Sequence, residues 1–465
     1  MNCNCYYCRT YKPFTMPQTI IDQAKAGNLV LFCGAGISTE SQTVMPHTFY
    51  TDIKEELGIV DNNISFSDLM QQYCQQENGR IKLVERIKQR LDYIRSHPEL
   101  DRTASRFHRE LSQIPLITKI ITTNWDTYFE DLCNAVPAVY AKDTTVIDDN
   151  TRHVLKIHGS INNVGSLIAT TEDYDRCYNN LNNGVLGSDV KTYLSKKKYT
   201  VVFIGFSFGD EDFDCIMRYI RNEMGNLSPH FYIVTIDKTL KDRLNYPYCT
   251  SIITDGTNFL HQLRLKLIDE GSLFDCTQTK QCVEAALLYM ESVHSVTSKL
   301  SLVDYPCVVY PLACQDGIIH AFERFLGMYK SGEYCNPKFM NSSLAAYWKI
   351  VDSQERNKFY VDEAYYSGYF NGLLFIRHFE GSLKAADPSD LIEMIKSLLI
   401  YYLPDVPRII RTQKTFMKHL KRLSDTDNVY KDQAKQAIEY PYDPSTGDLK
   451  NLTYHHKPLY AFVDF

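Results

Sequence analysis

Four short motifs each follow an apolar run of strand length, and together they hold the residues best suited to chemistry. They are Gly34–Thr39 (GAGIST), Thr122–Asp126 (TTNWD), Lys156–Ser160 (KIHGS) and Gly205–Asp210 (GFSFGD). Buried strands of an open α/β sheet bring their carboxyl ends to one edge, where ligands bind. The order of the motifs therefore predicts a single nucleotide site at that edge of the sheet.

The glycine-rich motif that follows Leu29–Cys33 suits a turn that approaches a phosphate. Gly34 and Gly36 have no Cβ, so the backbone can turn sharply and come close to a ligand. The helix expected to follow would offer amide groups and a positive dipole end to a pyrophosphate. Thr39 stands where the dinucleotide fingerprint has its third glycine. By itself, the motif fits an ordinary strand–turn–helix equally well.

Two side chains in the middle motifs are suited to catalysis. Asn124 offers both a hydrogen-bond donor and an acceptor without charge. His158 carries an imidazole, a group whose ordinary pKa of about 6.5 suits a general base near neutral pH. A lone histidine at such a place is more often structural, and Asp126 is expected to cap the next helix. The convergence of all four motifs is what favours a shared site.

The elements that must position these residues alternate between strands and helices over the first 270 or so residues. Six apolar runs are interpreted as buried parallel strands: Leu29–Cys33, Ile117–Ile121, Val154–Ile157, Thr200–Ile204, Phe231–Ile236 and Ser251–Ile253. We therefore predict an α/β fold with a Rossmann-like parallel sheet in a domain spanning residues 1–272. A helical insertion at about 60–112 is expected to contain the helix pair Asp68–Leu91. A mainly α-helical C-terminal domain is expected over 273–465.

Composition argues against two kinds of binding partner, nucleic acids and membranes. The net charge of −6 argues against a generally basic surface, so no direct contact with nucleic acid is expected. No apolar run reaches the roughly 18 residues needed to cross a bilayer, and the N-terminus lacks the apolar region of a signal peptide. We therefore expect a cytoplasmic protein without a membrane partner, in which the 14 cysteines are reduced thiols.

One cluster of cysteines raises the question of a metal. Cys3, Cys5 and Cys8 could ligate zinc if a fourth ligand came from elsewhere in the chain. Their spacing is irregular and no second C-x-x-C pair accompanies them, so an ordinary N-terminal segment is the favoured interpretation. No metal is expected.

The four motifs, in this order, resemble the signature of the sirtuin family. The resemblance implies an NAD-binding domain with Asn124 and His158 as the catalytic pair, His158 acting as general base. It further implies that the cofactor-binding residues lie in the same motifs: Gly34, Ala35, Gly36, Ser38, Thr123, Asp126, Gly205 and Ser207.

The chain departs from the protein-deacylating sirtuins at two places. After GAGIS those enzymes have a segment like GIPDFR, whereas this chain has Thr39–Phe49 (TESQTVMPHTF) and no arginine there. They also carry two C-x-x-C pairs for zinc after the HG motif, where this chain has only Cys177. The remaining pattern resembles bacterial defence-associated sirtuins, a group of sirtuin-like NAD hydrolases. In that group, NAD depletion halts an infected cell, a response known as abortive infection.

The resemblance implies that NAD is the substrate, cleaved to ADP-ribose and nicotinamide as the effector step of antiphage defence. By analogy, the helical domain would serve as a sensor or in assembly. The tyrosine-rich C-terminal third hints at a homo-oligomer. A phage-derived trigger, or an ATPase or nuclease partner protein, fits the same reading. Two alternatives remain open: an NAD-dependent protein deacylase or ADP-ribosyltransferase, and a non-catalytic nucleotide-sensing scaffold subunit.

Overall fold

The computed structural model divides the chain into two compact units, Met1–Ser272 and Leu273–Phe465. It describes residues 13–41, 43–61, 63–148, 151–206, 230–239, 249–379, 412–427, 431–441 and 443. The first unit contains a parallel sheet with helices, and the described part of the second is helical. The predicted α/β class with a helical C-terminal region is confirmed.

The sheet of the first unit has seven strands, and every neighbouring pair is parallel. The strands are β1 (Leu29–Cys33), β2 (Lys119–Thr122), β3 (Val136–Ala138), β4 (His153–Lys156), β5 (Thr200–Ile204), β6 (Phe231–Thr235) and β7 (Cys249–Ile253). Their spatial order is β3-β4-β2-β1-β5-β6-β7. The five residues of β1 are all buried, as are those of β5, because both strands are covered on their two faces.

Sequence patterns predicted six of these strands to within a few residues but missed β3. That strand has three residues, includes Pro137 and forms one edge of the sheet. Proline cannot donate to a neighbouring strand and is confined to edges or bulges, so the usual apolar signature is absent.

The chain reverses its direction across the sheet between β1 and β5. The strands β2, β4 and β3 lie in that spatial order on one side of β1. The chain then crosses β1 and forms β5, β6 and β7 on the other side. Ligands of open α/β sheets bind beyond the carboxyl ends of the strands at such a reversal. Gly34 follows β1 and Gly205 follows β5, so this topology brings the first and fourth motifs side by side.

Ten helices of the first unit are described. They are α1 (Gln18–Lys25), α2 (Phe49–Glu56), α3 (Phe66–Cys74), α4 (Gly79–Ser96), α5 (Pro98–Ala104), α6 (Arg106–Ser112), α7 (Tyr128–Cys133), α8 (Thr171–Asn183), α9 (Val185–Ser195) and α10 (Gly256–Asp269). The helices α2 to α6 form the insertion between β1 and β2, which begins earlier than the expected residue 60. Thr48 caps α2 by accepting from the Thr51 amide, which fixes this earlier start.

The second unit packs long helices around an apolar core. Its described helices are α11 (Cys276–Thr297), α12 (Val309–Met328), α13 (Pro337–Arg356), α14 (Tyr360–Phe379), α15 (Gln413–Asp425) and α16 (Lys431–Glu439). The backbones of α12 and α14 lie in contact, since a Cβ on Gly317 would stand 2.0 Å from the Tyr365 carbonyl oxygen. Within the mainly α-helical domain expected over 273–465, residues 380–411, 428–430, 442 and 444–465 lie outside the described residues.

Candidate active site

A cleft of about 1080 Å³ opens beyond the carboxyl ends of the sheet, within the first unit. Asn124 and His158 both line it, although they come from different strands. Both side chains are largely buried, with 4% and 5% of their surface exposed. Five other residues of the predicted set line the same cleft: Ala35, Gly36, Thr123, Asp126 and Gly205. The structure therefore brings most of the predicted site residues together.

The loops after β1 and β5 touch through their backbones, and glycines make this contact feasible. The Gly36 amide donates to the Gly205 carbonyl oxygen at 3.0 Å. A Cβ on Gly34 or Gly36 would stand 2.7 or 2.8 Å from that oxygen. Gly205 has φ +81° and a Cβ there would meet Ile37 at 2.6 Å. The missing Cβ atoms of these glycines thus allow the two loops to pack directly against each other.

The turn after the glycines differs from the expectation. A 3₁₀ turn of three residues, Ala35–Ile37, stands where an α-helix was predicted. The Gly36 amide is used by Gly205, so it is not among the groups available to a pyrophosphate. Three residues cannot build the dipole of a full helix, so the helix terminus expected directly after the glycines is absent from residues 35–37.

We expect Gly205→Ala to destabilise the first unit by about 2–5 kcal/mol. The overlap of the new methyl group with Ile37 contributes about 1–3 kcal/mol, and the positive φ forced on a residue with a Cβ adds about 1–2 kcal/mol. Urea unfolding of the purified chain measures this change. Gly58→Ala is the matched control, since Gly58 has φ +66° with open space around it. It should carry only the backbone strain of about 1–2 kcal/mol. Equal losses in the two variants would contradict a tight joint between the loops.

Asn124 is oriented by a buried hydrogen-bond chain. Its Nδ2 donates to Ser38 Oγ at 3.1 Å, and Ser38 Oγ donates to Asp126 Oδ2 at 2.8 Å. Ser38 is fully buried and lies behind the cleft wall, where it acts on the site through these two residues. Asn124 Oδ1 is buried without a hydrogen-bond partner among the described residues. A buried acceptor without a partner is costly, which is typical of a group kept for a ligand.

Asp126 has the capping role that the sequence predicted, together with a second one. Its Oδ1 accepts from the Tyr128 amide at 3.2 Å, at the start of α7. Its other carboxylate oxygen accepts from Ser38. One side chain therefore fixes both the helix that follows the second motif and the hydroxyl that orients Asn124.

His158 is held where a strand end meets a tight loop. Its ring lies edge-on to Tyr174 of α8, with 5.1 Å between the ring centroids and an angle of 73°. Its carbonyl oxygen accepts from the Ile168 amide at 3.1 Å. Gly159 has φ +81°, and a Cβ there would stand 2.1 Å from the Ser166 carbonyl oxygen. Tyr174, which the motif analysis did not single out, thus packs against the imidazole from α8.

An ion pair lies buried behind the two catalytic candidates. The Lys156 side chain is fully buried, and its Nζ lies 3.0 Å from Glu130 Oε1. The same Nζ donates to the Asp126 carbonyl oxygen. Burial raises the pKa of the Glu130 carboxyl above its ordinary value, although the Lys156 ammonium opposes this shift. The ammonium and the carboxylate therefore depend on each other for solvation inside the protein.

Arg90 of α4 is a cleft residue that the sequence motifs did not reveal. Its guanidinium bonds Glu40 Oε1 and Asp52 Oδ2, each at 2.8 Å, and also the His47 carbonyl oxygen at 2.8 Å. Burial raises the pKa of the Glu40 carboxyl, while Arg90 acts in the opposite direction. The segment Thr39–Phe49 contains no arginine, and the insertion supplies one to it. The bonds of Arg90 to Glu40 and His47 hold this segment against α4.

The two ends of the cleft differ in chemistry. At one end Trp125 packs against Phe49 and Phe66, with ring centroids 6.2 and 6.1 Å apart. Its Nε1 is buried and has no hydrogen-bond partner within the described ranges. At the other end Asp237 follows β6, and its Oδ1 accepts from the Thr239 amide at 2.8 Å. An aromatic end and an acidic end suit a long ligand with a flat ring at one terminus.

The remaining predicted residues either lie outside the cleft lining or fall outside the described part of the chain. Gly34 does not line the cleft but packs against the loop after β5. Ser207, Cys3, Cys5 and Cys8 lie outside the described residues. Within the described ranges, no group of three histidine, cysteine or acidic residues is placed to hold a metal ion. No helix there is both long and apolar enough to cross a bilayer.

Comparison with known proteins gives the class of this fold. Residues 118–251 match the SIR2-like domain family, a segment that runs from β2 into β7 and includes Asn124 and His158. This part of the chain therefore resembles a SIR2-like domain, and the resemblance to sirtuins drawn from the motifs is confirmed.

The chain is also similar, over part of its length, to individual curated proteins. The chain is 29% identical over 224 residues to the NAD(+) hydrolase ThsA of Enterococcus faecium, an alignment covering 46% of this chain and 44% of that protein. It is 28% identical over 211 residues to ThsA of Cytobacillus dafuensis, covering 44% and 40%. It is 23% identical over 279 residues to Defense-associated sirtuin 2 of Bacillus subtilis, covering 56% and 25%. The chain spans less than half the length of these relatives.

Proposed function

We propose that this protein hydrolyses NAD at the bond between nicotinamide and ribose, releasing nicotinamide and ADP-ribose. The observation that carries the proposal is the meeting of Asn124 and His158 in one cleft at the reversal point of a SIR2-like sheet. The relatives named NAD(+) hydrolase ThsA support the coarser part of the proposal, that NAD is hydrolysed.

The reaction needs positioning and one base. Nicotinamide is a cationic group until it leaves, so it requires no acid, and the transition state resembles an oxocarbenium ion. Water attacks the ribose carbon as the bond to nicotinamide breaks, and one proton is released. Asn124 would orient a ribose hydroxyl or the water through Oδ1, since Nδ2 is held by Ser38. His158, in its neutral form, would accept the proton.

The chain favours hydrolysis over protein deacylation. Cys177 is the single cysteine between the third and fourth motifs, and it lies buried on α8 with its Sγ donating to the Ile157 carbonyl oxygen at 3.3 Å. It therefore has a packing role and provides no zinc pair of the deacylating type. The charge of the Arg90 guanidinium is already balanced by the Glu40 and Asp52 carboxylates. Arg90 is therefore not an unpaired cation for a substrate to bind.

The acidic end of the cleft favours NAD over NADP as substrate. Asp237 follows the strand next to β5, on the side opposite the Asn124 loop. A carboxylate accepts hydrogen bonds from ribose hydroxyls and repels a ribose phosphate. A site built in this way would discriminate against a 2′-phosphate.

The biological role that we propose is antiphage defence by NAD depletion. The name Defense-associated sirtuin 2 places that relative in defence, which supports the broader part of this proposal. An NAD hydrolase without control would poison its own cell, so we expect low basal activity. The helical unit, as a homo-oligomer or with a partner protein, would respond to a phage-derived trigger. Light scattering with activity measurements tests this: a strict monomer with full activity would contradict it.

The direct test is to incubate the purified chain with NAD, alone and with extract of infected bacteria, and to separate the products chromatographically. We expect equal amounts of nicotinamide and free ADP-ribose, and much less turnover of NADP. An acetylated peptide in a parallel reaction tests deacylation, for which O-acetyl-ADP-ribose is the product. Formation of that product, or tight NAD binding without turnover under both conditions, would overturn the proposal.

A further inference from the structure

We propose that Lys156 is a positioning residue: its buried ammonium holds the Asn124–Trp125–Asp126 loop in the shape that presents the Asn124 amide to the cleft. The expected effect on kcat rests on the proposed function. The expected effect on the shape of the loop does not. Lys156 itself does not line the cleft, so it acts through the loop and not on a substrate.

The contacts of Lys156 lead directly to Asn124. Its Nζ donates to the Asp126 carbonyl oxygen, two peptide units from the Asn124 side chain. The carboxylate of Asp126 in turn accepts from Ser38 Oγ, which accepts from Asn124 Nδ2. A shift of the Asp126 backbone therefore moves both the loop that carries Asn124 and the hydroxyl that orients its amide.

Lys156 also couples the two motifs that supply the catalytic candidates. It is the last residue of β4, and His158 follows two residues later. A second link joins the same loops, because the Ile161 amide donates to the Trp125 carbonyl oxygen at 2.9 Å. The ammonium thus fixes the distance between the loop with the amide and the loop with the imidazole.

The ion pair with Glu130 offers a simpler explanation for the buried ammonium of Lys156, namely charge balance in the folded protein. The experiment must distinguish this role from positioning of the loop. A buried ammonium without a carboxylate, or the reverse, is strongly unfavourable, so the pair could serve folding alone. If charge balance were the whole role, removal of both charges together would restore a working protein. If positioning is the role, that double variant folds but still lacks the donor to the Asp126 carbonyl.

The test uses Trp125 as a reporter inside the loop. The chain has two tryptophans, and the other, Trp348, is 59% exposed in the second unit. In a Trp348→Phe background of the full chain, we compare Glu130→Gln, Lys156→Met/Glu130→Gln and Lys156→Arg. The measurements are Trp125 emission and acrylamide quenching, urea unfolding, and kcat and KM for NAD.

We expect Glu130→Gln to unfold at a lower urea concentration than the parent, because it leaves the buried ammonium without its carboxylate. In its folded state it should retain the emission and the kcat of the parent within about threefold, because the Lys156 donor to the Asp126 carbonyl is kept. The double variant should show red-shifted, more quenchable emission and a kcat lower by about tenfold to a hundredfold with little change in KM. Lys156→Arg, which keeps the charge and donors, should recover much of both signals. Parental emission and kcat in the double variant would overturn the inference. The emission comparison requires no turnover of NAD. A parent protein without activity would therefore refute the proposed function, while Trp125 emission would still decide whether Lys156 positions the loop.

Discussion

His158→Ala should lower kcat for NAD hydrolysis by about 10²–10⁴-fold, or about 3–5 kcal/mol of activation free energy. The imidazole lines the cleft and is the group that would accept the proton from water. The measurement is nicotinamide release under conditions in which the parent is active. Because the base acts on the reacting atoms, the loss should fall on kcat more than on KM.

His97→Ala provides the matched control for this variant. His97 is an exposed histidine at the end of α4, where its Nδ1 lies 2.9 Å from the Tyr93 carbonyl oxygen, and it does not line the cleft. Its removal should leave the rate unchanged. A His158→Ala protein that retains its fold and turns over NAD at the parental rate would exclude the imidazole from the reaction.

Asn124→Ala should lower kcat by about 10²-fold, with little loss of stability. The variant removes the Oδ1 acceptor, the group that would position a ribose hydroxyl or the water. Ser38 keeps its bond to Asp126 after the change, and a buried acceptor without a protein partner disappears. The free energy of unfolding should therefore stay within about 1 kcal/mol of the parent, a separation of function from stability typical of active sites.

Urea unfolding and steady-state kinetics on the same preparation measure the two effects. Asn63→Ala, in an exposed loop before α3, is the control and should match the parent in both. A large loss of stability in Asn124→Ala would mean that the amide is chiefly a structural group. Unchanged kinetics would remove it from the site.

The sequence by itself determined the class of the domain and the catalytic candidates. Runs such as Leu29–Cys33 and Thr200–Ile204 are apolar throughout, and only a strand covered on both faces buries every residue of so short a run. Motifs that follow such strands must meet at one edge of a parallel sheet. Asn124 and His158 could therefore be assigned to one site before the fold was known.

Tertiary structure alone decided how that site is built. Arg90 reaches the cleft from an inserted helix, and Tyr174 covers the imidazole from α8, because packing brings together residues with no shared local pattern. A helix start was expected to follow the glycines, yet the structure has a 3₁₀ turn there whose Gly36 amide donates to the Gly205 carbonyl oxygen in the loop after β5. Spacing along the chain shows which residues are near a strand end. Which hydrogen bonds they make depends on neighbours that only folding supplies.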